Sequence, residues 1–553
     1  MTATLRVACL LALLLPTASA QQTTPHAVPQ KFRISGTAVN AATEQPLAEA
    51  VIEIGLPQKQ DAVQSVETDE NGRFAFEGLS PAKYWLVGER RGFPRQGFNE
   101  HFGFFTAIVV GPGLQSENLV FRLRPDASIS GTVSDDQNEV VREGQVILFA
   151  DSSVDGEHRI IQSAKIGTDS AGHYRFSHLR QGRYFVAVSA QPWYAQTQRP
   201  LVPLIPSGDG GAAPGDTPPP ESANPFPLDV AYPLTYYAGA VEADDATPIN
   251  LAAGDQAKAD IALSAVPAVH LRLLSATMSP STCCGLTASL SQRTFGAASI
   301  FVPLSSTYTA GVMEISGMPP GDYMLNLTSF ENEQRSWTQS VRLTADTEMN
   351  GTQGRGSPTI TGIVTLDGTP LPGKGYVVLR DQASGNALGT QVILRGEFEF
   401  QPRAVKPGTY QVGVFNIPNA TVVALSASGA RVTGQSVSVE DGATVKLVVS
   451  MSKGLGEVDG VAERDGNPLP GAMIVLVPDK IDGNESLFRR DQSDSDGTFS
   501  LRDVVPGNYT VVAIEQGWDL EWSRAEVLKP YLANGERIEV HAQGKYQVKV
   551  KVQ

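Results

Sequence analysis

Cysteine is nearly absent from this sequence: its 553 residues hold three, Cys9, Cys283 and Cys284. The last two are neighbours in "STCCGLT", so no disulfide staples distant parts of the fold. They form either a strained local disulfide or two small buried side chains, and without a third ligand nearby they do not make a metal site. Charge is sparse as well. Only 18% of residues are charged, the formal net charge is −15, and no lysine-arginine cluster occurs. Such a chain is a poor candidate for binding nucleic acid through phosphates, and no nucleic-acid partner is expected. The seven histidines are His26, His101, His158, His173, His178, His270 and His541. None opens an H-E-x-x-H motif, and no G-x-S-x-G occurs. Those zinc-peptidase and serine-hydrolase chemistries therefore lack their residues, and no catalytic site, metal or cofactor is expected. Beyond the N-terminus no stretch is apolar enough to cross a membrane.

The N-terminus itself reads "MTATLRVACLLALLLPTASAQ". Arg6 gives a short positive region, residues 7–15 are apolar, and Ala18-Ser19-Ala20 supplies small residues before Gln21. This is the pattern of a signal peptide, residues 1–20, cleaved after Ala20. Cys9 lies inside it and away from the cleavage point, which argues against a lipid-anchored N-terminus. A periplasmic or secreted protein is expected. The mature chain is too long for one core. Its 53 glycines and 37 prolines suit turns and strands better than helices.

A recurring sentence organises the rest. "TDENGRFAFEGLSPAKYWLV" from residue 68 is rewritten from residue 168 as "TDSAGHYRFSHLRQGRYFVAV". Gly72 is followed by Tyr84, Gly172 by Tyr184, Gly311 by Tyr323 and Gly497 by Tyr509 at one spacing; Gly396 and Tyr410 repeat it with two extra residues. The glycine suits a turn that needs positive φ. Alternating apolar residues then mark a strand with one buried face: Phe74 and Phe76, Tyr174 and Phe176, Met313 and Ile315, Phe398 and Phe400, Phe499 and Leu501. A second turn leads to the tyrosine, which opens another alternating strand. Four units begin with a strand carrying glycine ("ISGTA", "ISGTV", "ITGIV", "VDGVA"); the third begins "VHLRLL" instead. Each unit is therefore about seven short strands, the grammar of a small antiparallel sandwich.

Strand-glycine, "PLPGA", D-x-x-G-x-F-x-[FL] and PG-x-Y-x-[VL] together resemble the carboxypeptidase regulatory-like domain. The resemblance is good for units one, two and five, fair for four and weak for three. It implies a transthyretin-like (prealbumin-like) sandwich, grouped with carbohydrate-binding-like folds. In metallocarboxypeptidases this module follows a zinc-binding catalytic domain, which has no counterpart here. The expected fold class is all-β: tandem Greek-key-type β-sandwiches in an elongated, multidomain chain. The expected division is a signal peptide (1–20), a linker (21–30), sandwiches at 31–124, 125–265, 266–350, 358–452 and 453–553, and a linker at 351–357.

Four places depart from the repeat. Residues 191–240 insert a Pro- and Gly-rich stretch, and its ends hold Trp193, Tyr194, Tyr232, Tyr236 and Tyr237. These rings either stack on sugar or grip a peptide, or they cover the end of the sandwich; surface-lying aromatics usually pack, and the expectation leans that way. In unit five, "GWDLEWSRAEVLKPYLANGE" predicts a short helix over residues 523–528, capped by Ser523 and ended by Pro530 and Gly535. Trp518 and Trp522 are expected to pack on the sandwich. "DQSDSDGTF" hints at calcium, yet Asp494, Asp496 and Gly497 serve a plain hairpin turn equally well. His173 and His178 flank a strand and point to opposite faces, against a shared metal. The sequence thus points to a non-catalytic binding or scaffold protein. Carbohydrate or a cell-envelope protein is the expected partner; the alternatives are an accessory to a separate extracytoplasmic hydrolase, and an enzyme with an unrecognised site.

Overall fold

In the computed structural model, the described residues are 31–553, apart from 58–63, 154–155, 197–227, 275–285, 297, 303–304, 310–311, 330–334, 352–356, 383–385 and 402–404. The signal peptide, the 21–30 linker, Cys283, Cys284 and the middle of the 191–240 insertion lie outside them.

The chain is all-β and elongated, built from separate sheets in tandem. Each of five successive stretches folds two sheets over its own core, and one topology recurs. The first strand of a unit pairs antiparallel with the strand after the repeat glycine and parallel with the unit's last strand. Phe32–Asn40 does so with Arg73–Leu79 and Leu119–Leu123. Gly456–Arg464 does so with Thr498–Val504 and Lys545–Lys551.

That topology explains the recurring strand glycine. Gly36, Gly131, Gly362 and Gly460 each face the aromatic of the repeat across the ladder: Phe74, Tyr174, Phe398 and Phe499. A Cβ on Gly131 would stand 2.0 Å from the Ala259 carbonyl oxygen, and one on Gly460 would stand 2.5 Å from that of Val548. Both oxygens belong to chain pairing with the first strand. The aromatic ring fills the space above the glycine, with Phe398 and Phe499 ring atoms 2.5 Å from where the Cβ would be. In the third unit Leu273 takes the glycine's place and Met313 the aromatic's. Side-chain volume has moved across the ladder while the core is preserved, which is why this unit reads as divergent.

The repeat tyrosines share one geometry. Tyr84, Tyr184, Tyr323, Tyr410 and Tyr509 are all buried, and each hydroxyl donates to the carbonyl four residues upstream, on Ser80, Arg180, Pro319, Lys406 and Val505. The ring anchors the second turn to the core while its polar tip closes the turn's backbone. Desolvation raises the pKa of Tyr184, Tyr410 and Tyr509.

The repeat glycines Gly72, Gly172, Gly396 and Gly497 sit at φ of 71–77°, as the turn requires. One α-helix occurs among the described residues, Ala525–Leu532. It starts later than the sequence predicts. Arg524 is the cap residue, the Ser523 hydroxyl caps nothing, and Pro530 stands inside the last turn. Burial of Leu528 against the fifth sandwich holds the helix where local signals do not.

Candidate functional site

The aromatics flanking the insertion are divided by the structure. Tyr236 ends the short strand Thr235–Tyr236 and Tyr237 opens the turn that follows, and the two rings enter different clusters. Tyr236 is buried among Phe149 and Phe185 of its own unit and Phe295 of the next, and its hydroxyl bonds Thr294. Burial pushes its pKa up to about 12. Phe295 lies 5.1 Å from Phe149, 4.8 Å from Phe185 and 5.6 Å from Tyr236, so this aromatic knot welds the second sandwich to the third. Tyr237 is half-buried against the core of the second sandwich, and Tyr232 is buried within it. Burial raises the Tyr232 pKa, helped by a hydrogen bond with Tyr194. Only Trp193 is open, 81% exposed, with the half-buried Tyr194 ring 5.8 Å away edge-on. A ring that stacks on a ligand from solvent needs a free face, and among these five Trp193 has it.

A second junction between these sandwiches is polar. His270 is buried, with Nε2 2.8 Å from Asp229 and Nδ1 3.1 Å from Glu314, which also receives Arg272 Nε at 2.8 Å. His270, Asp229 and Glu314 resemble an acid-base constellation, but all three are closed off from solvent.

The first and last sandwiches also meet. Ala107 N–H donates to Asp494 Oδ1 (3.0 Å), Val109 N–H to Ser495 Oγ (2.8 Å), and Ser495 N–H to the Ala107 carbonyl (3.0 Å). Lys83 forms an ion pair with Asp494. Gln492 donates to Asn99 O and Thr106 Oγ1, both at 2.8 Å, and its Oε1 faces His101 Nδ1. The His101 ring stacks on Trp518 at 5.0 Å and 7°, and burial lowers its pKa. Asp494 is the acid that suggested calcium. Asp69 and Asp169, its counterparts in units one and two, each accept two backbone N–H groups of their own turn. In unit five Asp496 takes over the turn by accepting from Thr498, which releases Asp494 to bind the first sandwich.

The second and fourth sandwiches also reach the fifth. Ser523 N–H donates to Gly156 O, His158 contacts Asp519 and Glu521, and Ser486 bonds Gln435. Arg159 Nη1 donates to Gln382 O at 2.7 Å, joining the second and fourth. Between the three lies a cleft of about 710 Å³, within the usual size of a ligand pocket. Its floor is the outer face of the Tyr376–Asp381 and Gly408–Phe415 strands; Arg490, Trp522 and Ser523 form one wall and Arg159 another. No periodicity announces such a site, because its residues come from three separately patterned units.

Residues 33–124 match the carboxypeptidase regulatory-like domain, and residues 458–530 match the second β-sandwich domain of BOS complex subunit NOMO1-like proteins. No curated protein matches the sequence. Among solved structures, the Bacillus anthracis TIE protein is 12% identical, with 95% of this chain and 74% of that one covered, at a TM-score of 0.16. A streptococcal ancillary pilin is 13% identical over 52% of this chain and 99% of its own, with a TM-score of 0.18. The shaft pilin SpaA of Lactobacillus rhamnosus GG is 8% identical over 42% and 97%, also at 0.18. Likenesses at such TM-scores carry no argument about function.

Proposed function

We propose that this chain, whose first sandwich is a carboxypeptidase regulatory-like domain, is a non-catalytic binding and scaffold protein working outside the cytoplasm. The clasp between the first and last sandwiches is the observation that carries the reading. Sandwiches on short linkers move relative to one another unless an interface holds them. Here the two ends of the string are held by backbone hydrogen bonds, a buried carboxylate and a stacked ring pair, and further contacts tie the second, third and fourth units into the same body. A protein arranged in this way presents surfaces at fixed distances, as a scaffold must. Carbohydrate is the ligand class we favour; the domain resemblance and the open Trp193 ring support it.

Small-angle scattering of the full chain, wild type against Asp494→Ala, tests the scaffold reading. The wild type is expected to give one concentration-independent distance distribution, and the variant a broader one with a longer maximum dimension. A wild type that scatters as a flexible string refutes the reading. Pull-down from the native host adds a second arm: one dominant hydrolase among the captured proteins would make this chain that enzyme's accessory.

A further inference from the structure

His270 sits where the second sandwich meets the third, and both of its ring nitrogens face acids. Nε2 lies 2.8 Å from Asp229 Oδ2, and Nδ1 lies 3.1 Å from Glu314 Oε1. The side chains of His270, Asp229 and Glu314 are 2%, 0% and 3% exposed, so bulk water does not mediate these contacts. Asp229 ends the insertion of the second sandwich. Next to it Val230–Ala231 pairs with Val266–Pro267, and Ala268 N–H donates to the Asp229 carbonyl. His270 and Glu314 lie on adjacent strands of the third sandwich, Val269–Leu274 and Val312–Met318. The imidazole therefore links an acid of one unit to an acid of the next.

Counting protons shows what the link needs. An ionised carboxylate only accepts, and a neutral imidazole donates from one nitrogen and accepts at the other. With a neutral His270, one carboxylate would aim its oxygen at a ring lone pair. Both contacts become hydrogen bonds when the trio holds one more proton, and imidazole is more basic than a carboxylate. The doubly protonated ring also balances the charges. Asp229 and Glu314 then stand against His270 and Arg272, whose Nε is 2.8 Å from Glu314 Oε2. Buried charges persist when they are paired. Two further acids stand at the margin, both exposed. Asp346 accepts the His270 backbone N–H at 3.0 Å, and Glu348 lies opposite Arg272 on the parallel strand Thr347–Asn350. The neighbouring strands Val230–Ala231, Val266–Pro267 and Ser305–Thr309 bring no charged group.

We propose that this junction is a proton-operated lock: His270 holds Asp229 to Glu314 while its ring carries two protons, and releases the Asp229 segment when one is lost. Imidazole is the side chain that ordinarily titrates between about pH 5 and 8. The bound proton stabilises the closed junction at low pH, and that stabilisation is lost as pH rises through the titration of the ring. The release is local, because the aromatic knot around Phe295 holds the two units together independently of it. The inference concerns this junction alone, so it stands or falls separately from the clasp between the first and last sandwiches.

Hydrogen exchange of the full chain at about pH 5.5 and about pH 8.5, corrected for the intrinsic rate at each, tests it. The amides of 228–232 and 268–271 report the lock, and those of 184–188 in the core of the second sandwich are the reference. In the wild type, protection at the lock should fall about tenfold or more between the two pH values while the reference holds. Asp229→Asn supplies a group that donates as well as accepts, so a neutral ring satisfies both contacts. Its protection should be the same at both pH values. Glu314→Gln does this from the other side and should behave alike, which keeps the test open if one variant does not fold. A wild-type junction whose protection ignores pH overturns the inference, and so does a folded variant that keeps the wild-type fall.

Discussion

Replacing Gly131 with alanine adds a single methyl group, and the structure says where it must go. The new carbon falls 2.0 Å from the Ala259 carbonyl oxygen and 2.6 Å from its carbon, with the Tyr174 ring 3.0 Å away. Ordinary contact at such atoms is above 3.4 Å. The last strands of the second sandwich must therefore retreat by more than an ångström at Ala259. That residue is fixed from both sides: its N–H donates to Ser130 O at 2.8 Å, and its carbonyl accepts the Tyr174 hydroxyl. Overpacking a rigid site costs about 1–3 kcal/mol. With backbone in the way and a hydrogen bond at stake, the upper end applies, about 3 kcal/mol. Hydrogen exchange of the full chain reads this locally. At about 1.4 kcal/mol per factor of ten, amides of 127–135 and 256–263 should exchange roughly a hundredfold faster. Gly167→Ala is the matched control, since a Cβ there meets nothing within 4 Å. Equal exchange in the two variants would refute the close-approach explanation of the strand glycine.

Tyr184→Phe should cost the second sandwich about 1 kcal/mol by losing the bond to Arg180 O, and Tyr184→Ala about 3–5 kcal/mol by emptying the core; local hydrogen exchange separates the two. Burial, with nearby Asp494 adding to it, raises the Asp491 pKa to about 6 from an ordinary 3.8. The folded fifth sandwich therefore binds the extra proton between these values, and its stability should fall as pH rises from about 4 through about 6. Asp491→Asn should flatten that slope, as followed by exchange of the 498–504 amides corrected for intrinsic rate. Asp494→Ala should expose the Ala107 and Val109 amides while leaving exchange within each core unchanged, because its partners lie only in the clasp.

The repeat was legible because each unit solves one local problem. The period of two, the turn glycine and the buried tyrosine are short-range requirements, and Tyr84, Tyr184, Tyr323, Tyr410 and Tyr509 meet them alike. Tyr236 was harder to place. It belongs to the knot with Phe295 of the next unit, and a single unit's pattern cannot name its neighbour. The clasp was the least visible, since its partners are 387 residues apart. One signal stood in the sequence nonetheless. The turn of unit five carries Asp496 just before its glycine, where "TDENG" and "TDSAG" have Asn71 and Ala171, and Asp494 is the acid that leaves its turn. The short helix was misplaced because Ser523 looks like a cap, whereas its backbone is taken by Gly156 of another sandwich.

The clasp also has a chronology. A chain is made from its N-terminus at about 5–20 residues per second, so the 387 residues between Ala107 and Asp494 take roughly 20–80 s to appear. Small domains fold far faster than that. The first sandwich is therefore complete long before its partner exists, with Lys83, His101 and the Ala107 and Val109 amides waiting uncovered. Any other strand edge that arrives sooner competes for the same donors, and the finished shape depends on the last part to be made.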